Sequence, residues 1–171
     1  MLDTAERIFV AANRWALILI LAAMCCIVFA NVSLRYLTNF SIVWAEEVAR
    51  YLMIWMTFIG AGLVLRFGGH VGIDTINEFL PRRAGQILRA ALALLLFAFF
   101  IAMVWQGIRY MQAAQYQATP ALRISFSYVY AVFPIGFSLM IVHLLLVIRT
   151  YVRDNRFAES DEVSAEAAAA L

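Results

Sequence analysis

The sequence predicts an all-α integral membrane protein with four transmembrane helices and a short interfacial amphipathic helix between the second and third. Three observations predict it. Hydrophobic residues make up 65% of the 171-residue chain and charged residues only 14%. Soluble domains average about 45–50% and about 25%, and a chain this short keeps a large share of its surface exposed, so this much apolar surface calls for lipid. The apolar residues gather in four runs, each near the roughly 20 residues a helix needs to cross a bilayer. None of these runs alternates as a barrel strand does, and helices satisfy their own backbone in lipid.

The predicted spans cover residues 16–34, 44–65, 87–107 and 126–148. The run after Trp15 is about as long as a signal-peptide core, but it continues through Asn31, Val32, Ser33 and Leu34 without a clean small-x-small site. It therefore reads as an uncleaved first span. Inside it, Cys25 and Cys26 are adjacent, a poor geometry for a disulfide, and read as small buried packing residues. The second span opens on Ser41, a candidate N-cap, and carries charge only near its start. Gly68-Gly69 ends it. Beyond lies a segment over residues 73–80 with Ile73, Ile76, Phe79 and Leu80 at helical spacing and Asp74, Asn77 and Glu78 between them. It is too short to span. It reads as an amphipathic helix in the interface, with a plain polar loop as the alternative, and Pro81 stops it. In the fourth span Pro134 and Gly136 predict a kink. Ala45/Ala49 and Ala98/Ala102 offer close helix packing. Residues 1–157 form one domain, and residues 158–171, polar and then Ala-rich, read as a disordered tail.

All 13 basic residues are arginine. With four spans, Arg7, Arg14, Arg66, Arg82, Arg83, Arg89, Arg149, Arg153 and Arg156 fall on one side, and Arg35, Arg50, Arg109 and Arg123 on the other. The positive-inside rule then puts both termini in the cytoplasm. Trp15, Tyr36, Trp44, Trp105, Tyr110 and Tyr151 sit near span ends, as interfacial anchors do. The net charge of +2 gives no reason to expect nucleic acid.

Candidate polar chemistry concentrates where the second span begins. Glu46 to Arg50 is an i,i+4 pair and Glu47 to Arg50 an i,i+3 pair, so both acids can reach the guanidinium along the helix. Acids at a helix start also suit the macrodipole. The trio is either a wet helix end or, with Arg35 and Arg109 on the same side, a polar cluster inside the bundle or against a partner. Gln106, Arg109, Gln112 and Gln115 read as a solvated helix extension or a docking surface. His70 and His143 are the only histidines. His143 is expected to hydrogen-bond across helices and His70 to order its loop. The sequence has no phosphate-binding loop, no Cys/His ligand spacing and no acidic residue in mid-span, where an ion-coupled carrier would be expected to keep one. These features describe a non-catalytic accessory subunit with no cofactor of its own.

Arg35-Tyr36, Ser41, Trp44, Glu46-Glu47, Arg50-Tyr51, Trp55, Gly60, His70-Val71-Gly72-Ile73-Asp74 and Leu80-Pro81 resemble, in order and spacing over residues 35–81, the small DctQ-like subunit of tripartite ATP-independent periplasmic (TRAP) transporters. Pro120-Ala121-Leu122 and Pro134-Ile135-Gly136 extend the likeness loosely, and the tail after Phe157 has no counterpart. The resemblance implies a bacterial inner-membrane protein. In that family a periplasmic binding protein captures an organic acid, often a carboxylate, and passes it to a large and a small membrane subunit, with a sodium gradient driving uptake. Sodium and substrate are expected in the large multi-span subunit, with the small one as its scaffold. Arg35, Trp44, Glu46, Glu47, Arg50, Trp55, His70, Asp74 and Arg109 then carry over as structural or interface residues, in contact with lipid or partner. Trp44 and Trp55 are expected to set the depth or contacts of the second span. Two rivals stand beside this reading. One is a haem- or quinone-binding membrane anchor of a redox enzyme. The other is a self-sufficient exporter using Glu46 or Glu47.

Overall fold

The computed structural model describes residues 2–67 and 81–154. The expected interfacial helix at residues 73–80, His70, Asp74 and the tail at residues 158–171 lie outside the described residues. Helix α1 runs Leu2–Thr38, α2 Ala45–Arg66 and α3 Arg82–Ala113. A single 3₁₀ turn, Ala114–Tyr116, follows. The fourth span is α4, Phe126–Tyr130, and then α5, Val132–Asp154. Four helices are long and apolar enough to cross a membrane.

Each boundary has a local cause. Thr38 caps the end of α1 through its hydroxyl, which donates to the Leu34 carbonyl at 2.7 Å. Asn39 then turns to φ 52°, a left-handed conformation that Asn tolerates better than most residues. Ser41 is not the cap of α2, contrary to expectation. The residue before that helix is Trp44, with no side-chain cap bond. The Ser41 hydroxyl and the Ile42 N–H instead face Asn31 Oδ1 at 3.4 and 2.7 Å, so the loop folds back onto α1. At the fourth span, Ser125 does cap α4, accepting from Ser127 N–H at 3.2 Å. The expected kink falls at Ala131, between α4 and α5, because the Pro134 ring cannot sit against the carbonyl four residues before it, that of Tyr130.

The helices stand in the order α1, α2, α5, α3, with α5 packed on both α2 and α3. Leu65 of α2, Phe100 of α3 and Met140, Leu144, Val147 and Tyr151 of α5 form the core. Phe58 packs edge-on against Phe133 at 4.7 Å and against Phe137 at 5.8 Å. In lipid the helices gain little from apolar burial, so close van der Waals contact holds them, and that needs small residues at crossings. Glycines fill that role here. A Cβ on Gly136 would stand 2.8 Å from Phe58 Cβ and 3.1 Å from the Phe58 carbonyl. One on Gly107 would meet Pro134 at 3.1 Å. Ala45 is buried, but Ala98 and Ala102 remain exposed among the described residues. Cys25 and Cys26 are exposed as well. Their exposure corrects the expectation that they are buried.

Candidate functional site: polar contacts at the two ends of the bundle

The starts of α1 and α3 and the ends of α2 and α5 share one end of the bundle, here the proximal end. Three polar contacts join helices there. Arg66 on α2 pairs with Glu6 on α1 at 2.5 Å. Arg89 on α3 donates through Nε and Nη2 to the Val152 carbonyl of α5 at 3.2 and 3.1 Å. Deeper in, His143 is fully buried, and its Nε2 lies 3.0 Å from Asn13 Nδ2. Phe9 packs on the imidazole at 4.9 Å between ring centres. Gly62 makes room for the ring, since a Cβ there would be 2.7 Å from His143 Cδ2. His143 thus hydrogen-bonds across helices as expected. Its ring is closed in by three helices and its Nε2 is engaged, so the haem- or quinone-anchor reading is not favoured.

At the distal end, Glu47 fastens a loop. Its Oε2 accepts the Ala121 N–H at 2.6 Å and its Oε1 the Tyr51 hydroxyl at 3.0 Å. The loop is itself ordered by Thr119 N–H to the Ile124 carbonyl at 2.8 Å and Phe126 N–H to the Gln117 carbonyl at 2.9 Å. Arg123 sits in the left-handed region with φ 54° at its turn. No ion pair joins Glu46 or Glu47 to Arg50 among the described residues, which corrects the expected pairing. Glu47 points away from Arg50 to neutral donors, and Glu46 and Arg50 extend outward, both exposed.

The other predicted residues disperse. Arg35 is exposed, with its guanidinium 5.7 Å from the Tyr36 ring centre. Arg109 is exposed near the end of α3, on a helix that runs to Ala113, so Gln106 to Gln112 extend a helix rather than closing a cluster. Trp44 is exposed. Trp55 is half-buried and lines a lateral apolar groove of about 310 Å³, with Tyr51, Leu52, Leu122 and Tyr128 among its walls. The residues missed by sequence reasoning are Asn13 and Asn31, both buried. A signal was present: an amide in an apolar helix is costly to bury unless it finds a partner.

Residues 24–154 match the sequence model of the family described as tripartite ATP-independent periplasmic transporters, DctQ component. The chain is 32% identical over 127 residues to the C4-dicarboxylate TRAP transporter small permease protein DctQ of Rhodobacter capsulatus, covering 73% of this chain and 56% of that protein. It is 25% identical over 126 residues to the sialic acid TRAP transporter small permease protein SiaQ of Vibrio cholerae, covering 74% and 73%. It is 29% identical over 113 residues to the isethionate TRAP transporter permease protein DctMQ of Oleidesulfovibrio alaskensis, covering 65% of this chain but 18% of that protein. The chain therefore spans less than two thirds of the first and third of these relatives.

Proposed function

The chain belongs to the DctQ component family of tripartite ATP-independent periplasmic transporters, a non-enzyme family of transporter subunits, and from that premise we propose that this small permease subunit scaffolds and stabilises a large multi-span partner. The assembly imports an organic acid, delivered by a periplasmic binding protein and driven by a sodium gradient. The observation that carries the reading is that the family match takes in the last three spans and the latter part of the first, while the isethionate permease holds a match to 113 residues of this chain within a much longer polypeptide. Relatives are named for C4-dicarboxylate, sialic acid and isethionate, each an organic acid, which supports that substrate class.

The proximal end, with nine of the thirteen arginines, faces the cytoplasm of a bacterial inner membrane. Sodium and substrate sites lie in the large subunit. Arg35, Trp44, Glu46, Glu47, Arg50, Trp55, His70, Asp74 and Arg109 serve structure, lipid contact and subunit contact.

The test is affinity purification of the chain from native membranes in mild detergent, followed by sodium-gradient uptake in proteoliposomes. A stoichiometric large membrane protein, and uptake that needs both chains, the binding protein and sodium, support the proposal. A chain that purifies alone, or with a soluble redox enzyme, overturns it.

A further inference from the structure

Three buried polar atoms share the seam where α1, α2 and α5 meet. Among the described residues, His143 Nδ1, Asn13 Oδ1 and Arg66 Nη1 have no hydrogen-bond partner, although each is sealed from solvent. His143 and Asn13 are themselves 0% and 6% exposed. Glu6, Phe9 and Asn13 follow one another at steps of three and four residues on one face of α1. Glu6 pairs with Arg66, and Phe9 and Asn13 meet His143. Arg66 stands one turn beyond Gly62, the residue against the His143 ring.

The chemistry of these atoms selects what completes them. With Asn13 Nδ2 donating to Nε2 at 3.0 Å, the neutral ring carries its proton on Nδ1. A donor is then left on the ring and an acceptor on the amide. Turning the amide over exchanges the two: an acceptor on the ring, donors on the amide. In both arrangements one acceptor and one donor remain, and Arg66 adds a guanidinium N–H. An anion cannot satisfy the acceptor, and a cation is repelled by Arg66. Water both donates and accepts, and a buried water typically makes about three hydrogen bonds to groups of this kind. The contrast with the next residue is sharp. Leu144 turns into the apolar core with Leu65, Phe100 and Met140, so polar and apolar interiors lie side by side at one depth.

We propose that the α1–α2–α5 seam is a water-binding site, in which water hydrogen-bonds to His143, Asn13 and Arg66 and enters from the proximal end past the Glu6–Arg66 pair. The path is short. Arg66 is the last residue of α2, and Gly62 lies about 6 Å inside it. Water-mediated contacts are nearly as good as direct ones. The seam thus ties α1 to the bundle through polar bonds, where Phe100 ties α3 to α5 through apolar packing. The site belongs to this chain and stands whether or not a large subunit does the transporting.

The experiment uses the unmodified full chain, with any subunit that co-purifies, in lipid nanodiscs. Pulsed X-ray radiolysis makes hydroxyl radicals from water in place, including water bound inside a protein, and peptide mass spectrometry locates the oxidised side chains. Although His143 is fully buried, it should be oxidised several-fold faster than Met140 and Phe100, which are nearly as buried in the apolar core. Oxidation of His143 no faster than that of Met140 overturns the site. A second measurement uses a small charged methanethiosulfonate, which attacks the thiolate that forms only in water. Asn13→Cys should react several-fold faster than Leu144→Cys. The native Cys25 and Cys26, exposed on α1 within its span, serve as lipid-facing controls and should stay unmodified. Equal rates at residues 13 and 144, or no reaction at residue 13, overturn the proposal. Should Asn13→Cys fail to fold, the radiolysis of the unmodified chain decides alone.

Discussion

Glu47 Oε2 accepts the backbone N–H of Ala121 at 2.6 Å, tying the first turn of α2 to a loop 74 positions further along the chain. The same carboxylate takes the Tyr51 hydroxyl at 3.0 Å. Glu47→Ala should therefore release the distal loop. The expected outcome is several-fold faster tryptic cleavage after Arg123, which is already exposed, read by fragment mass. Tyr51→Phe removes one donor and should produce a smaller increase in the same assay.

Gly62 and His143 should behave as one unit. Gly62→Ala places a Cβ 2.7 Å from His143 Cδ2, and over-packing of this kind costs about 1–3 kcal/mol. His143→Ala removes the obstacle, so the double variant should be more stable than the sum of the two single losses predicts. Denaturant titration in detergent micelles of the four proteins of the cycle checks this. Strict additivity would show that the two residues are not coupled.

Gly136→Ala and Gly60→Ala form a matched pair. At Gly136 the new methyl meets Phe58 Cβ at 2.8 Å and its carbonyl oxygen at 3.1 Å, so backbone has to move. At Gly60 the nearest atom is a Leu17 methyl at 3.7 Å, an ordinary contact. The first variant should lose about 1–3 kcal/mol. The second should match the parent or improve slightly, because Ala favours the helix over Gly by about 1 kcal/mol. The midpoints of micellar unfolding report the difference.

Arg89 is buried and donates two hydrogen bonds to the Val152 carbonyl. Bonds from a charged donor are worth about 1.5–3 kcal/mol, and Arg89→Ala should destabilise the protein by that order. Arg89→Lys should recover part of it, since an ammonium keeps the charge but lacks the planar fork. Unfolding midpoints of the two variants against the parent test both expectations.

The four spans were legible because a bilayer imposes length and hydropathy on each segment separately, and local sequence is enough to read them. The same holds for the end of the bundle at which Arg7, Arg66 and Arg89, or Arg35, Arg50 and Arg109, fall, once the number of spans is known. Within that frame the polar residues were harder to read. Glu47 lies at the right spacing to pair with Arg50, yet it bonds a loop 74 positions away. His143 was expected to bond across helices, but nothing local named Asn13, 130 positions earlier, as its partner.

By itself, the sequence determined the membrane class, the span count, the approximate span boundaries and the family likeness over residues 35–81. Each of these rests on composition, periodicity or order along the chain. Only the tertiary structure decided which side chains meet: the placement of α2 between α1 and α5, the fit of His143 over Gly62, and the separation of Glu47 from Arg50. Helix periodicity says which residues share a face. Which neighbour covers that face depends on the packing of all four helices together, and at the crossings on glycines whose missing Cβ atoms permit the approach.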